Sequence, residues 1–246
     1  MIDKPGQDEA GAGATGQARL SSSDQIVRDI VRGLYEGRYV AGQRLVEPDL
    51  MRRYAVSRST VREAIKRLAA EGVVALHAFR GAQIRHLTRR DAQSVLVVLE
   101  VMIGLAARLA AETIDAPGVR AHFTAAYEAL AAFSEERDSY DLVRARNRFY
   151  RVMAQIGGND ELRRLLPSFQ VHLIRTHLRT ARADRFSDYQ LMAEAILAGD
   201  GTAAEIAGRR HIRRSIEAMR EAPDAIFAPE RTDPSSSYSH EDSDHA

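Results

Sequence analysis

The sequence predicts a mostly α protein: an N-terminal winged helix-turn-helix (three helices plus a β-hairpin), then an all-α antiparallel bundle of about six helices. Three observations carry this. Ala and Leu are plentiful, aromatics make up 6% and Trp is absent, a mix that favours helices. Apolar residues recur at i, i+3, i+4 and i+7 in successive segments, the period of one helix face. One stretch breaks that pattern: "VVALHAF", the turn "RG" and "AQIRHL" read as two short strands joined in a hairpin.

The elements follow in order. Residues 1–22 are rich in Gly, Ala and polar residues and are expected to form a disordered tail. The winged domain is assigned to 23–87. Its first helix, about Ser23 to Glu36, lines Ile26, Ile30 and Leu34 on one side and ends at Gly37. After the turn "VAGQRL" comes a second helix from about Glu47 to Tyr54. The third lies in "YAVSRSTVREAIKRLAAEGVV", with Val61, Ala64, Ile65 and Leu68 on one face and Arg58, Arg62, Lys66 and Arg67 on the other. Either Ser57 or Ser59 suits its N-cap, and Thr60 with Glu63 has capping-box spacing. Gly72 stops it.

Residues 88–222 are assigned to the all-helical domain. Helices are expected at about 89–112, 117–136, 140–156, 160–181, 185–198 and 202–221, broken by Pro117–Gly118, Gly157–Gly158 and "AGDG". Short connections favour antiparallel packing, and bundle interiors commonly hold ligands. Residues 223–246 contain few apolar residues and are expected to be a loose C-terminal tail.

Charge divides the chain. From Asp24 to Arg90 there are 14 Lys+Arg against 7 Asp+Glu, and from Asp91 onward 19 against 24. Polyanion binding therefore belongs to the front. There is no Cys, which excludes disulfides and thiolate sites. No signal-peptide h-region is seen at the start. No apolar run is read as reaching the roughly 20 residues a membrane span needs, so a cytoplasmic protein without membrane partners is expected.

The third helix has the size to enter a DNA major groove. Arg58, Arg62 and Lys66 are four apart and project together, with Ser59 and Thr60 at the helix start. Arg reads guanine through paired bonds, whereas Ser, Thr and Lys commonly hold phosphates. Arg80 and Gly81 at the wing tip are placed to reach the backbone or minor groove. The alternative, a solvated face on an ordinary surface helix, leaves the hairpin and the local charge surplus unexplained.

These residues carry a family resemblance. "GQRLVEPDLMRRYAVSRSTVREAIKRLAAEGVV" followed by "RGAQI" resembles the GntR family of bacterial transcription regulators. "LAARLAAE" (105–112), "GGNDELRRLL" (157–166) and "AILAGDGTAAEIAGRRHI" (195–212) resemble the FadR-type, or FCD, effector domain of one branch. The resemblance implies a homodimer on a palindromic operator, a small-molecule effector and, more often than not, repression. Many members of that branch hold a divalent metal with an Asp and a His four apart on one helix and one His on each of two later helices. Those positions fall here on Arg146, Tyr150, Tyr189 and His211, so neither a metal nor any other cofactor is expected.

Helical spacing places the same residues inward. Leu142, Arg146, Phe149, Met153 and Ile156 form one stripe, and Tyr189, Met192, Ala193 and Ile196 another. Arg146, Tyr150, Tyr189 and His211 together offer a cation, two hydroxyls and an imidazole, suited to an anionic metabolite. The competing expectation pairs Arg146 with a Glu such as Glu100 and treats both Tyr as packing. The resemblance also puts Leu99 and Ile103 where the branch often carries Arg and Glu, which points to a more apolar pocket. His172 and His177 are five apart and make a poor chelating pair; His240 and His245 lie in the tail. A bundle that serves only for dimerisation is the alternative function. An enzyme is not expected: nucleophile elbow, paired carboxylates and a phosphate-binding Gly loop are all missing.

Overall fold

The computed structural model describes residues 21–78, 81–135, 139–166 and 182–230. Helix α1 (Ser22–Tyr35) starts at Ser21, whose side chain accepts from the Asp24 amide while Asp24 reaches back to the Ser21 amide, a reciprocal cap. Strand β1 (Arg44–Leu45) leads into α2 (Glu47–Tyr54), which ends at Ala55 with φ 52°. Helix α3 (Arg58–Ala70) follows, then β2 (Val74–His77) and β3 (Gly81–Ile84).

The strands form an antiparallel sheet in the order β1-β3-β2, with Val74 opposite Ile84, His77 opposite Gly81 and Arg44 opposite Gln83. The expected two-stranded wing is thus three-stranded; a two-residue strand carries no alternation for a sequence to display. Ile26 and Ile30 of α1, Val61 and Leu68 of α3, and Ile84 of β3 are fully buried in one core.

The second core belongs to six described helices: α4 (Arg89–Glu112), α5 (Val119–Ala131), α6 (Tyr140–Ile156), α7 (Asp160–Leu165), α8 (Arg182–Leu197) and α9 (Gly201–Arg220). The helix expected over 160–181 is described only as far as Leu165, and His172 and His177 lie outside the described residues. Helix α4 is long and apolar enough, by length and composition, to cross a membrane, contrary to the sequence expectation. Half of its apolar window is buried against the other helices, as in the core helix of a bundle.

Among the described helices the most extensive packing joins α4 to α9. A Cβ on Gly208 would lie 3.1 Å from the Ile103 carbonyl oxygen and 3.2 Å from Gly104 Cα. Ala107 and Ala111 of α4 and Ala204 and Ala207 of α9 are buried in the same core. Small side chains let the two backbones approach, so dispersion contacts accumulate along the seam.

The segment after α9, described as far as Glu230, packs back on the start of α4. Arg89 donates to the Met219 carbonyl and, at 2.6 Å, to the Ala222 carbonyl. It also pairs with Asp224 at 2.6 Å and lies 4.4 Å from the centre of the Phe227 ring. A parallel bridge joins Thr88 to Ala228, whose amide donates to the Leu87 carbonyl at 2.9 Å. Residues 223–230, expected to be loose, are therefore strapped to the linker between the domains.

The α4–α9 contact yields a testable difference. Gly208→Val should cost about 2–3 kcal/mol in denaturant unfolding, because its neighbours there are backbone atoms that cannot step aside. Gly104→Ala should cost less, about 1–2 kcal/mol: its nearest obstacle, Arg209 Cγ at 2.7 Å, sits near the root of a side chain held by Glu205 and must shift, though no backbone atom is in the way and Ala favours the helix.

Candidate DNA-reading helix and bundle interior

Helix α3 is capped by Ser57, which settles the choice left open by the sequence: its hydroxyl accepts from the Thr60 amide at 3.3 Å. The same hydroxyl is 2.8 Å from Ser59 Oγ and 2.9 Å from Thr60 Oγ1. Three hydroxyls thus cluster where the helix dipole presents positive charge, a setting that suits a phosphate. Glu63 closes no capping box; it accepts from Ser23 Oγ of α1 at 3.0 Å.

Arg58 and Arg62 project from the exposed face, with 62% and 61% of their side-chain surface open to solvent. Both lean on one carboxylate that sequence reasoning missed. Arg62 Nε donates to Glu47 Oε1 at 3.0 Å, and Arg58 Nε lies 3.6 Å from Glu47 Oε2. Glu47 opens α2, so the first helix of the pair braces two exposed arginines of the second. Their Nε atoms face Glu47 and leave the guanidinium ends able to make paired bonds to an acceptor edge. The only sequence signal for Glu47 was an acid in a first helical turn, which serves equally well as a helix-end charge.

Lys66 is exposed one turn beyond Arg62. Gly81 opens β3 with φ 78° and nothing within 4 Å of an added Cβ, so the wing backbone can lie close to a surface there. Arg80 lies outside the described residues.

In the bundle interior, α6, α8 and α9 bring three of the four expected residues together. The Tyr150 hydroxyl and His211 Nε2 are 2.8 Å apart. The Tyr189 ring centre lies 4.6 Å from that of His211 and 6.4 Å from that of Tyr150. Arg146 is 6% exposed and donates from Nη2 to Asn147 Oδ1 at 3.2 Å. Glu100, offered as its partner, instead pairs with Arg213 at 2.9 Å and Arg209 at 3.9 Å, because it sits on the α9 side of α4. Leu99 and Ile103 are buried in the bundle core.

Behind His211 stands Asp188, a residue the sequence reading passed over. It is 0% exposed, with Arg214 Nε at 2.9 Å and Arg210 Nη2 at 3.1 Å. His211 Nδ1 lies 3.8 Å from its Oδ2, an electrostatic distance rather than a hydrogen bond. Burial alone would raise the Asp188 pKa, but His211 and Arg214 outweigh it and hold the carboxyl below its ordinary value. The signal was present as Asp184 and Asp188 four apart on α8, a carboxylate pair at helical spacing contrary to the sequence expectation that none exists, facing Arg210 and Arg214 four apart on α9.

The donor set does not fit a divalent metal. It holds one imidazole, already joined to Tyr150 at Nε2, and Arg146 is a cation that would repel the ion. Among the described residues no group of three or more His, Asp or Glu converges.

A three-helix winged domain with an exposed basic helix, joined to a helical bundle, is the architecture of a DNA-binding regulator. Residues 22–84 match the model for bacterial regulatory proteins of the gntR family, and residues 94–214 match the FCD domain. The chain belongs to the GntR family, in its FCD branch, and is a DNA-binding transcriptional regulator. It is 27% identical to a Paenarthrobacter nicotinovorans protein described as a "probable D-xylose utilization operon transcriptional repressor", over 85% of this chain and 94% of that one. It is also 27% identical to the regulator BphR of Paraburkholderia xenovorans (strain LB400), over 76% and 81%. Among solved structures, Escherichia coli McbR/YncC superposes with a TM-score of 0.66 at 18% identity, covering 82% of this chain and 98% of that one. A GntR regulator from Rhodococcus sp. RHA1 gives 0.65 at 20%, covering 82% and 99%. These two likenesses establish the shared fold.

Asp188 supplies a pH-dependent prediction. Its folded pKa is depressed, so its contribution is present above the unfolded carboxyl value of about 3.9 and is lost as pH falls through the folded value. Asp188→Asn should cost on the order of 3 kcal/mol at pH 7, because two arginines lose a buried partner. The gap between wild type and variant in urea unfolding should narrow below about pH 4.

Proposed function

We propose that the protein is a ligand-responsive regulator, most simply a repressor, that binds a palindromic operator as a homodimer. The observation that carries the DNA-reading half is the shared Glu47 brace beneath Arg58 and Arg62. Held side by side on one exposed face, the two guanidiniums take base edges. Ser59, Thr60 and Lys66 hold phosphates, and Arg80 and Gly81 bring the wing to the backbone. Two copies would read half-sites about 34 Å apart. The exposed Val97, Val98 and Val101 of α4 give a second copy an apolar surface. A repressor is also what the name of the Paenarthrobacter relative describes.

The bundle interior is the effector site in this reading. Arg146 is the anchor for an anionic metabolite, with Tyr150, Tyr189 and His211 as further polar contacts. A buried guanidinium whose one hydrogen bond among the described residues is to a neutral amide retains most of its capacity to bind an anion. The alternative, a bundle that only dimerises, draws support from the Tyr150–His211 bond, which occupies the Tyr150 hydroxyl and His211 Nε2 without a ligand.

Two measurements test these roles. In operator titrations, Arg62→Ala should cost about 1–3 kcal/mol and relax discrimination at one base position, whereas Lys66→Ala should weaken specific and random DNA alike. Equal losses on both DNAs for Arg62→Ala would remove it from base reading. Arg146→Ala should abolish the release of operator by the cognate metabolite while leaving metabolite-free operator affinity as it was. A response identical to wild type would favour the dimerisation-only bundle.

A further inference from the structure

A cleft of about 640 Å³ lies between the winged domain and the bundle, walled by α1 and the end of α3 on one side and by α5 and α6 on the other. Neither the reading helix face nor the bundle interior uses it. Helix α6 has two functional faces. Leu142, Arg146, Phe149 and Met153 point into the bundle, while Arg144, Arg148 and Arg151, at i, i+4 and i+7, line the cleft. Arg28 of α1 lines it from the opposite domain.

The charges there do not cancel. Arg67 is taken by Asp24, and Arg144 lies 3.5 Å from Asp141. Arg28 and Arg148 have no ion-pair partner among the described residues, and Arg151 acts only through space on Glu71, the remaining acid on the wall. Phe133 and Tyr140 supply an apolar wall, and Arg32 stacks 5.0 Å from the Tyr140 ring centre across the domain boundary. Glu71 follows the end of α3, about 20 Å along the axis from Arg58 at 1.5 Å per residue. The cleft is thus remote from the end of α3 that reads DNA.

We propose that this cleft binds a small polyanion, a molecule carrying two or more phosphate or carboxylate groups and an apolar body. Arg28 grips it from the winged domain, and Arg148 and Arg151 grip it from the bundle. Guanidiniums pair with both kinds of group through two parallel bonds, and the apolar body rests on Phe133 and Tyr140. A ligand held by both domains fixes the angle at which the reading helices are presented. Asn147 also lines the cleft and accepts from the buried Arg146, so the cleft and the bundle interior communicate through one side chain.

The test is calorimetric titration of inorganic pyrophosphate into the full-length protein at low ionic strength. Saturable binding at one site per chain is expected. It should weaken at least tenfold in the Arg148→Ala/Arg151→Ala double variant, whose replaced side chains are exposed and need not disturb folding, and again in Arg28→Gln. Arg163→Ala, on the solvated face of α7, should match wild type. The proposal is overturned by non-saturable binding, or by variants that keep their fold in circular dichroism and bind pyrophosphate like wild type. Simple competition by a non-operator DNA duplex would also overturn it, since the cleft would then be a track for DNA phosphates.

Discussion

The close approach of α4 and α9 at Gly104 and Gly208 sets the geometry of everything around the bundle interior. With no side chain between the backbones, α9 lies in the seam and its two charged rows fall to opposite flanks. Arg209 and Arg213 reach Glu100 of α4, while Arg210 and Arg214 reach Asp188 of α8. His211, one turn past Gly208, is left facing the centre, where it meets Tyr150 of α6. A wider seam would turn that imidazole away from both its neighbours.

Asp188 shows how an interior of this kind tolerates polar groups. A buried carboxylate is costly unless compensated, and here two partly exposed arginines compensate it while keeping some contact with water. If Tyr150 donates to Nε2, the imidazole proton belongs on Nδ1, on the side of Asp188, whose negative charge favours that tautomer at a distance. The same logic recurs in the winged domain, where Glu47 orients rather than neutralises: one acid beside two exposed arginines leaves their positive character largely intact.

Much of this was legible in the sequence because it is periodic. The stripes through α3, α6 and α8 named the core faces, and the departure of one of them at Arg146 located a polar position inside the bundle. Three features escaped for physical reasons. Strand β1 is two residues long and has no period. Glu47 and Asp188 act across helices, and single-chain spacing does not report which face of one helix meets another. For the same reason Glu100 was offered to Arg146, when the packing of α4 directs it to α9. The segment after 222 looked structureless because it holds few apolar residues, yet what fixes it is Arg89, more than 130 positions earlier.

That last contact changes the mechanical character of the joint between the domains. A bare linker would behave as a loose tether and would dissipate small displacements of α9 before they reached the winged domain. Stitched to the end of α9 through Arg89 and bridged by Ala228, residues 87–90 act as a stiff coupling. A displacement of α9 would pull directly on residues 87–90, which lead back to β3. Removing the segment after α9 would take away the Ala222, Asp224 and Phe227 contacts of Arg89 and leave the joint held by the Met219 and Arg220 carbonyls.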